Sequence, residues 1–209
     1  MSVPRQAANW TEADWDEASW TDQPVAVTTT ATGTLVEAQN GSDFWEQTLY
    51  GFEHRNGHAL LAPWPQDEAI EVSFTVGSLT ELYDQAGLMI RLSVDHWIKA
   101  GIEMNDGVPH LGAVVTNQHS DWSLGPVPEW ADATVTIRAS RIADAVVIRA
   151  RASDGPWRTV RVAPFDTAAK LSAGPMLCAP TRAGFVANFT GWQRTAADVE
   201  LHAEPPIQA

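Results

Sequence analysis

Cys178 is the only cysteine of the chain, which excludes an intrachain disulfide. Its neighbours Met176 and Leu177 predict a buried strand in which the thiol is a small apolar filler. No base stands near it in sequence to make it a nucleophile. Basic residues are scarce, 13 against 26 acidic ones, for a formal charge of −13. Nucleic acid and anionic membrane surfaces select clustered Lys and Arg, so neither is an expected partner. No apolar run approaches the ~20 residues that span a bilayer. The stretch holding Asn9, Trp10, Glu12, Asp14 and Trp15 lacks the basic flank and apolar centre of a secretory signal, which makes a cytoplasmic location the expectation. Phosphate-binding glycine loops, serine elbows and dinucleotide fingerprints are missing too, so no cofactor is expected.

What the chain has is alternation. Ile70, Val72, Phe74 and Val76 interleave with Glu71, Ser73 and Thr75, and Val135, Ile137 and Ala139 with Thr134, Thr136 and Arg138. Further strand-like runs cover 24–36, 111–116, 145–151, 159–162, 176–178 and 185–190, most of them five to eight residues or a little more. Asn105-Asp106-Gly107, Ser153-Asp154-Gly155-Pro156 and Asn56-Gly57 punctuate them as hairpin turns. Helical periodicity is confined to fragments such as 11–19. Many short strands with almost no helix predict an all-β sandwich or barrel. The expected division is an N-terminal extension over 1–19 packed on the domain, the sandwich over 20–195, and a tail over 196–209. Pro205 and Pro206 predict that the tail frays from Ala203 onward.

The segment 83–103 carries the strongest functional signal. Its two strand-like halves flank Ser93-Val94-Asp95 and predict a hairpin. In the second half Ile98, Ala100 and Ile102 share one face, and Trp97, Lys99 and Glu103 the other. In the first half Gln85 and Arg91 belong with that second set. Aliphatic faces turned to the core would leave a Trp, Lys, Arg, Glu and Gln patch outside, suited to stacking on a sugar face and bonding its hydroxyls. A solvated salt-bridge ladder is the plainer reading. Ten tryptophans against two tyrosines add to the binding interpretation, with Trp45, Trp64, Trp97 and Trp122 close to turns. Core packing is the alternative for each of them. Trp10, Trp15 and Trp20 are expected to pin the N-terminal extension.

His54, His58, His96, His110 and His119 show no zinc-motif spacing, so no metal site is assigned. His119, beside Asp121 and Trp122 in an expected loop, is the best placed of them for function. No Glu-x-Asp-x-x-Glu carboxylate array of the jelly-roll glycosidase type is present. Glu103 is the one strand carboxylate in a suggestive setting, with Lys99 placed to keep it ionised.

Segment 42–52, opening Ser42-Asp43-Phe44-Trp45-Glu46, with Asn56-Gly57-His58 after it, resembles the opening signature of the DUF1349 (regulation-of-enolase-like) family. Segment 83–103 resembles its central signature. Gly107-Val108-Pro109-His110, Val114-Val115-Thr116-Asn117 and Ser120-Asp121-Trp122-Ser123 resemble the family segment next in order. The match spans about 20–193. It implies a concanavalin A-like jelly roll of two antiparallel sheets and no agreed reaction.

Three functions remain open. The first is lectin-like binding of a carbohydrate or sugar metabolite, with Trp97, Arg91, Gln85, Trp45, Trp64 and Trp122 as contacts. The second is a carbohydrate-active enzyme using Glu103 with Lys99 or His119. The third is a regulatory protein partner in sugar metabolism.

Overall fold

The computed structural model describes residues 17–206, so Trp10, Trp15 and most of the expected helical fragment lie outside the described residues. The strands in chain order are β1 (Ser19–Trp20), β2 (Ala26–Thr30), β3 (Gly33–Glu37), β4 (Phe44–Glu46), β5 (Glu53–Arg55), β6 (His58–Trp64), β7 (Glu68–Thr75) and β8 (Gln85–Arg91). They continue with β9 (His96–Asn105), β10 (Val108–Asn117), β11 (His119–Pro126), β12 (Thr134–Ile142), β13 (Ala145–Ala152), β14 (Arg158–Pro164), β15 (Leu171–Cys178) and β16 (Val186–Ala196). One 3-10 turn, Pro128–Trp130, is the helical element among the described residues.

Two seven-stranded antiparallel sheets form a β-sandwich, in the orders β1-β6-β15-β8-β9-β10-β11 and β14-β13-β12-β7-β16-β3-β2, with β4-β5 as a separate hairpin. The first of these is the site sheet. Its half from β8 to β11 is a run of consecutive hairpins, each closed by local turn chemistry. Between β9 and β10, Asp106 and Gly107 both take positive φ (50° and 78°), the two-residue turn that matches strand twist.

The main core lies between the sheets. Leu88, Ile90, Ile98, Ala100 and Ile102 from the site sheet meet Ile70, Val72, Phe74, Val135 and Ile137 from its partner. The strand alternation read in the sequence is the pattern that lets each sheet present one such face. Trp20 pairs with Leu60 at the sheet edge and packs against this core.

Several details differ from the sequence expectation. The 24–36 run is two strands, folded back so that Thr30 pairs with Gly33. Asn56-Gly57 is not a hairpin turn, because β5 pairs with β4 while β6 pairs with β1 and β15. It is a corner where the chain leaves one sheet for another. β6 contains Pro63, a residue excluded from central ladders, but β1 covers only Leu60 and Leu61, so Pro63 sits where the strand is an edge. β11 is an edge strand rich in Ser, Asp, Gly and Pro, held by its pairing to β10 rather than by propensity. The tail is tied down over 198–203: the Arg149 guanidinium donates to the carbonyls of Glu200, Leu201 and Ala203, and Asp198 is buried against Arg138.

Candidate functional site

The site is built on the outer face of the site sheet. Register pairs Gln85 with Glu103, Gly87 with Gly101, Met89 with Lys99 and Arg91 with Trp97. On the other side of β9, His110 faces Glu103, Gly112 faces Gly101 and Val114 faces Lys99. Gly87, Gly101 and Gly112 therefore lie abreast. A Cβ on Gly101 would stand 2.1 Å from the Ala86 carbonyl oxygen and 2.7 Å from the Gly87 Cα, so only glycine fits there. Gly101 and Gly112 line a small hollow together with Lys99 and Glu103.

The β4-β5 hairpin covers the far half of this face. Phe44 lies over Trp97 (ring centroids 5.9 Å apart), and with Ala59, Leu61, Met89 and Met176 they form a second apolar cluster outside the sandwich. Fully burying an indole of this kind stabilises by about 2–3 kcal/mol. The hairpin is fixed by a two-pronged Arg55–Glu46 pair (2.6 and 2.9 Å) and by the Glu46 N–H donating to Ser120 Oγ on β11. Its tip supplies an aromatic wall: Tyr50 and Phe52 stack at 5.2 Å, and Trp45 meets Trp122 edge-on at 6.1 Å.

Asp84 organises the opposite wall. It accepts from the Thr80 and Glu81 N–H groups and from the Arg182 guanidinium, which also reaches the Ser78 carbonyl. This clamp brings Tyr83, Pro180 and Thr181 to the rim, with Tyr83 in the left-handed region (φ 65°). Between the walls lies a pocket of about 340 Å³ whose floor is Asp43, Gln85, Lys99 and Glu103. A smaller pit of about 20 Å³ adjoins it between Glu103, Gly101, Gly112 and Trp122.

The floor charges are unequal in partnership. Lys99 Nζ donates to Asp43 Oδ1 at 2.8 Å and to Gln85 Oε1 at 2.9 Å. Burial works against its ammonium, but the charges of Asp43 and Glu103 and the hydrogen bond to Asp43 outweigh that and raise its pKa. Glu103 Oε1 is buried with no hydrogen-bond partner among the described residues. Burial lifts the Glu103 carboxyl to about 7, against the pull of Lys99 and with a push from Asp43. The Cys178 thiol, beneath the same cluster, is pushed far up by burial and is inert as a nucleophile.

Of the residues singled out in the sequence, Glu103, Lys99, Gln85, Trp45 and Trp122 come together in the pocket. Trp97 has the expected parity but is 2% exposed under Phe44, so it supports the floor and touches no ligand space. Trp64 is in the core between the sheets, donating to the Glu68 carbonyl with the Arg141 guanidinium over its ring. Arg91 lies at the far end of β8 beside a different hollow, with its Nε donating to Ser93. His119 begins strand β11 instead of lying in a loop. It is one residue out of phase with Ser120 and Trp122 and faces away from the pocket. His58 is structural: its Nε2 accepts from the Gln39 N–H, so Nδ1 carries the proton donated to Asp22, and burial lowers its pKa. Among the described residues no group of three or more His, Cys, Asp or Glu could hold a metal ion.

Asp43, Tyr50, Phe52, His54 and Tyr83 are pocket residues that sequence reasoning missed. One signal was available: the chain has two tyrosines, and both line this pocket.

Fold and site together define a β-sandwich protein with a small aromatic-walled pocket on one sheet. The chain belongs to the family described as "Protein of unknown function (DUF1349)", which matches residues 20–197. It is 37% identical over 180 residues to Regulation of enolase protein 1 of Saccharomyces cerevisiae, covering 84% of this chain and 87% of that protein. A crystal structure of a functionally unknown protein from Saccharomyces cerevisiae superposes with a TM-score of 0.79 at 34% identity, covering 88% of this chain and 98% of that one. A xylan beta-1,4-xylosidase from Bacillus halodurans shares the fold at 12% identity and a TM-score of 0.61, covering 78% of this chain and 32% of the enzyme's.

Proposed function

We propose that this protein binds a saccharide or sugar metabolite in the pocket between Trp45, Tyr50, Tyr83 and Trp122. The observation that carries this reading is the combination of aromatic side chains lining the pocket with a polar floor of Gln85, Lys99, Asp43 and Glu103. Aromatic faces stack on the C–H faces of a sugar ring, while fixed donors and acceptors below select its hydroxyls. A volume of about 340 Å³ suits one or two sugar units rather than a long chain. Intrinsic tryptophan fluorescence titrated with a panel of mono- and oligosaccharides tests the reading, because Trp45 and Trp122 flank the site. A saturable change with at least one sugar is expected; a flat response across the panel overturns it.

A catalytic reading is favoured by one observation, the Glu103 carboxyl titrating at about 7 in a pocket, a value suited to general acid–base work near neutrality. Lys99 is committed to Asp43 and Gln85, and His119 is out of reach, so Glu103 would act without either. Turnover of small glycosides lost in Glu103→Gln supports this reading, and equal turnover in both proteins removes it. The yeast relative's name points to protein association, for which the rim residues Leu49 (85% exposed), Tyr50, Phe52 and Leu82 offer apolar surface. Co-purification lost in Leu49→Asp would support that use of the rim. A sugar-metabolic role in the cytoplasm fits each of these readings.

A further inference from the structure

The pocket floor has a definite charge. Lys99, the Lys or Arg side chain among its described lining residues, is 4% exposed and gives its ammonium to Asp43 and Gln85. The nearby Arg55 is bound to Glu46 and Glu53, and Arg182 to Asp84. Among the described residues Glu103 is left as the floor group without a counterion, with Oε1 lacking any hydrogen-bond partner. The surrounding protein adds to this bias, carrying 26 acidic against 13 basic residues.

Shape adds a second observation. The pit that Glu103 lines holds about 20 Å³, room for one water-sized group, and opens where Gly101 and Gly112 have no side chains. Trp122 lines both the pit and the pocket beside it, and Tyr83, Tyr50 and Trp45 line that pocket as well. Aromatic faces attract cations through the ring quadrupole, and they repel anions for the same reason. A buried carboxylate short of a partner gains most from a donor that brings positive charge with it.

We propose that the pocket selects cationic ligands, an amino sugar within the saccharide class, by seating an ammonium group in the pit against Glu103 beneath the face of Trp122. This rests on the pocket being the ligand site proposed above, and it adds the charge of the ligand. Sugar phosphates and uronic acids are excluded on the same grounds, because no free cation is offered to their anionic groups among the described lining residues. The head group enters first and the ring remains between the aromatic walls.

The test is a calorimetric titration at pH 7 and low salt with glucose, glucosamine and glucuronate. Methylammonium chloride serves as a sugar-free cation and methanol as its neutral counterpart. Glucosamine is expected to bind about tenfold or more tighter than glucose, the scale of one charge-assisted hydrogen bond, and glucuronate more weakly than either. Methylammonium should outbind methanol, and in Glu103→Gln the glucosamine-to-glucose ratio should fall towards one. The ligand series on the unaltered protein decides the matter should that variant fail to fold. Glucose or glucuronate binding as tightly as glucosamine overturns the charge preference and leaves the saccharide reading standing. Methylammonium binding in preference to methanol with no sugar bound supports the charge preference and removes the saccharide reading. Silence from every probe overturns both.

Discussion

Lys99 and Glu103 occupy the same face of β9 with only Gly101 between them on that face, yet Lys99 Nζ is satisfied by Asp43 and Gln85 while Glu103 Oε1 has no partner among the described residues. One group is structural and the other is held in an unfavourable state beside a cavity. Groups of the second kind cluster where proteins bind or react.

The first consequence is a pH dependence of stability. Burial raises the Glu103 carboxyl from its ordinary 4.5 to about 7, so the folded state holds its proton more tightly than the unfolded chain does. That contribution is fully present below pH 4.5 and is lost as pH rises through about 7, to a total of roughly 3 kcal/mol. Glu103→Gln is expected to be more stable than the parent at pH 8, with the difference shrinking towards pH 5. Urea unfolding at both pH values measures it, and a constant difference would show that Glu103 does not titrate in this way.

The Lys99–Asp43 pair sets a second expectation. Its side chains are 5% and 18% exposed, so Asp43→Asn leaves a buried ammonium without its counter-charge and should cost about 3 kcal/mol. Lys99→Met in the same chain should recover much of that loss, since no uncompensated charge remains. The denaturant midpoints of the two single variants and the double variant form the cycle; strict additivity would mean that the pair is not coupled.

Trp122 is 37% exposed and bridges pit and pocket, so its loss should harm binding more than folding. Trp122→Ala is expected to weaken a bound saccharide about tenfold and shift stability by less than about 1 kcal/mol. Titration and thermal melting on the same preparation separate the two effects. Trp97→Ala, by contrast, should cost about 3–5 kcal/mol through the cavity it leaves under Phe44.

Gly101→Ala places a methyl 2.1 Å from the Ala86 carbonyl oxygen, a backbone atom that cannot turn aside. Strands β8 and β9 would have to part, and little soluble protein is expected. Normal yield and an unchanged melting curve would mean that the two strands leave room for a methyl group.

A fifth expectation concerns the tail. Arg138 is 1% exposed and bonds Glu71, Asp198 and the Ala196 carbonyl together. Arg138→Ala takes the counter-charge from Glu71, which keeps only its bond from Gln193, and leaves Asp198 to Arg149 alone; it should cost about 3–5 kcal/mol, with early proteolysis near 198–203. Limited digestion followed by mass measurement locates the first cut.

The β8-to-β11 half of the site sheet was legible because its information is local. Period-two alternation put Ile98, Ala100 and Ile102 inward and Lys99 and Glu103 outward, and Asp106-Gly107 closed the next hairpin. Trp97 shows where such reading stops. Its parity follows from the strand, but its cover is Phe44, 53 residues earlier, and no periodic pattern encodes that contact. Tyr50 and Phe52 were invisible for a related reason, since they lie between strands where side-chain direction follows no period. Arg91 and Gln85 share a face and a strand, yet only Gln85 reaches the pocket, because six residues of extended chain separate them by roughly 20 Å.

By itself the sequence determined an all-β fold, the faces of the central strands and the placing of Glu103 outside the core. Those depend on short-range stereochemistry and on which side chains water expels. Tertiary structure alone decided that Asp43 would neutralise Lys99, that Phe44 would seal Trp97, and that two tyrosines 33 residues apart would flank one cavity. Such pairings are made when distant segments cross the same sheet face, and their free energy exists only once the sandwich has closed.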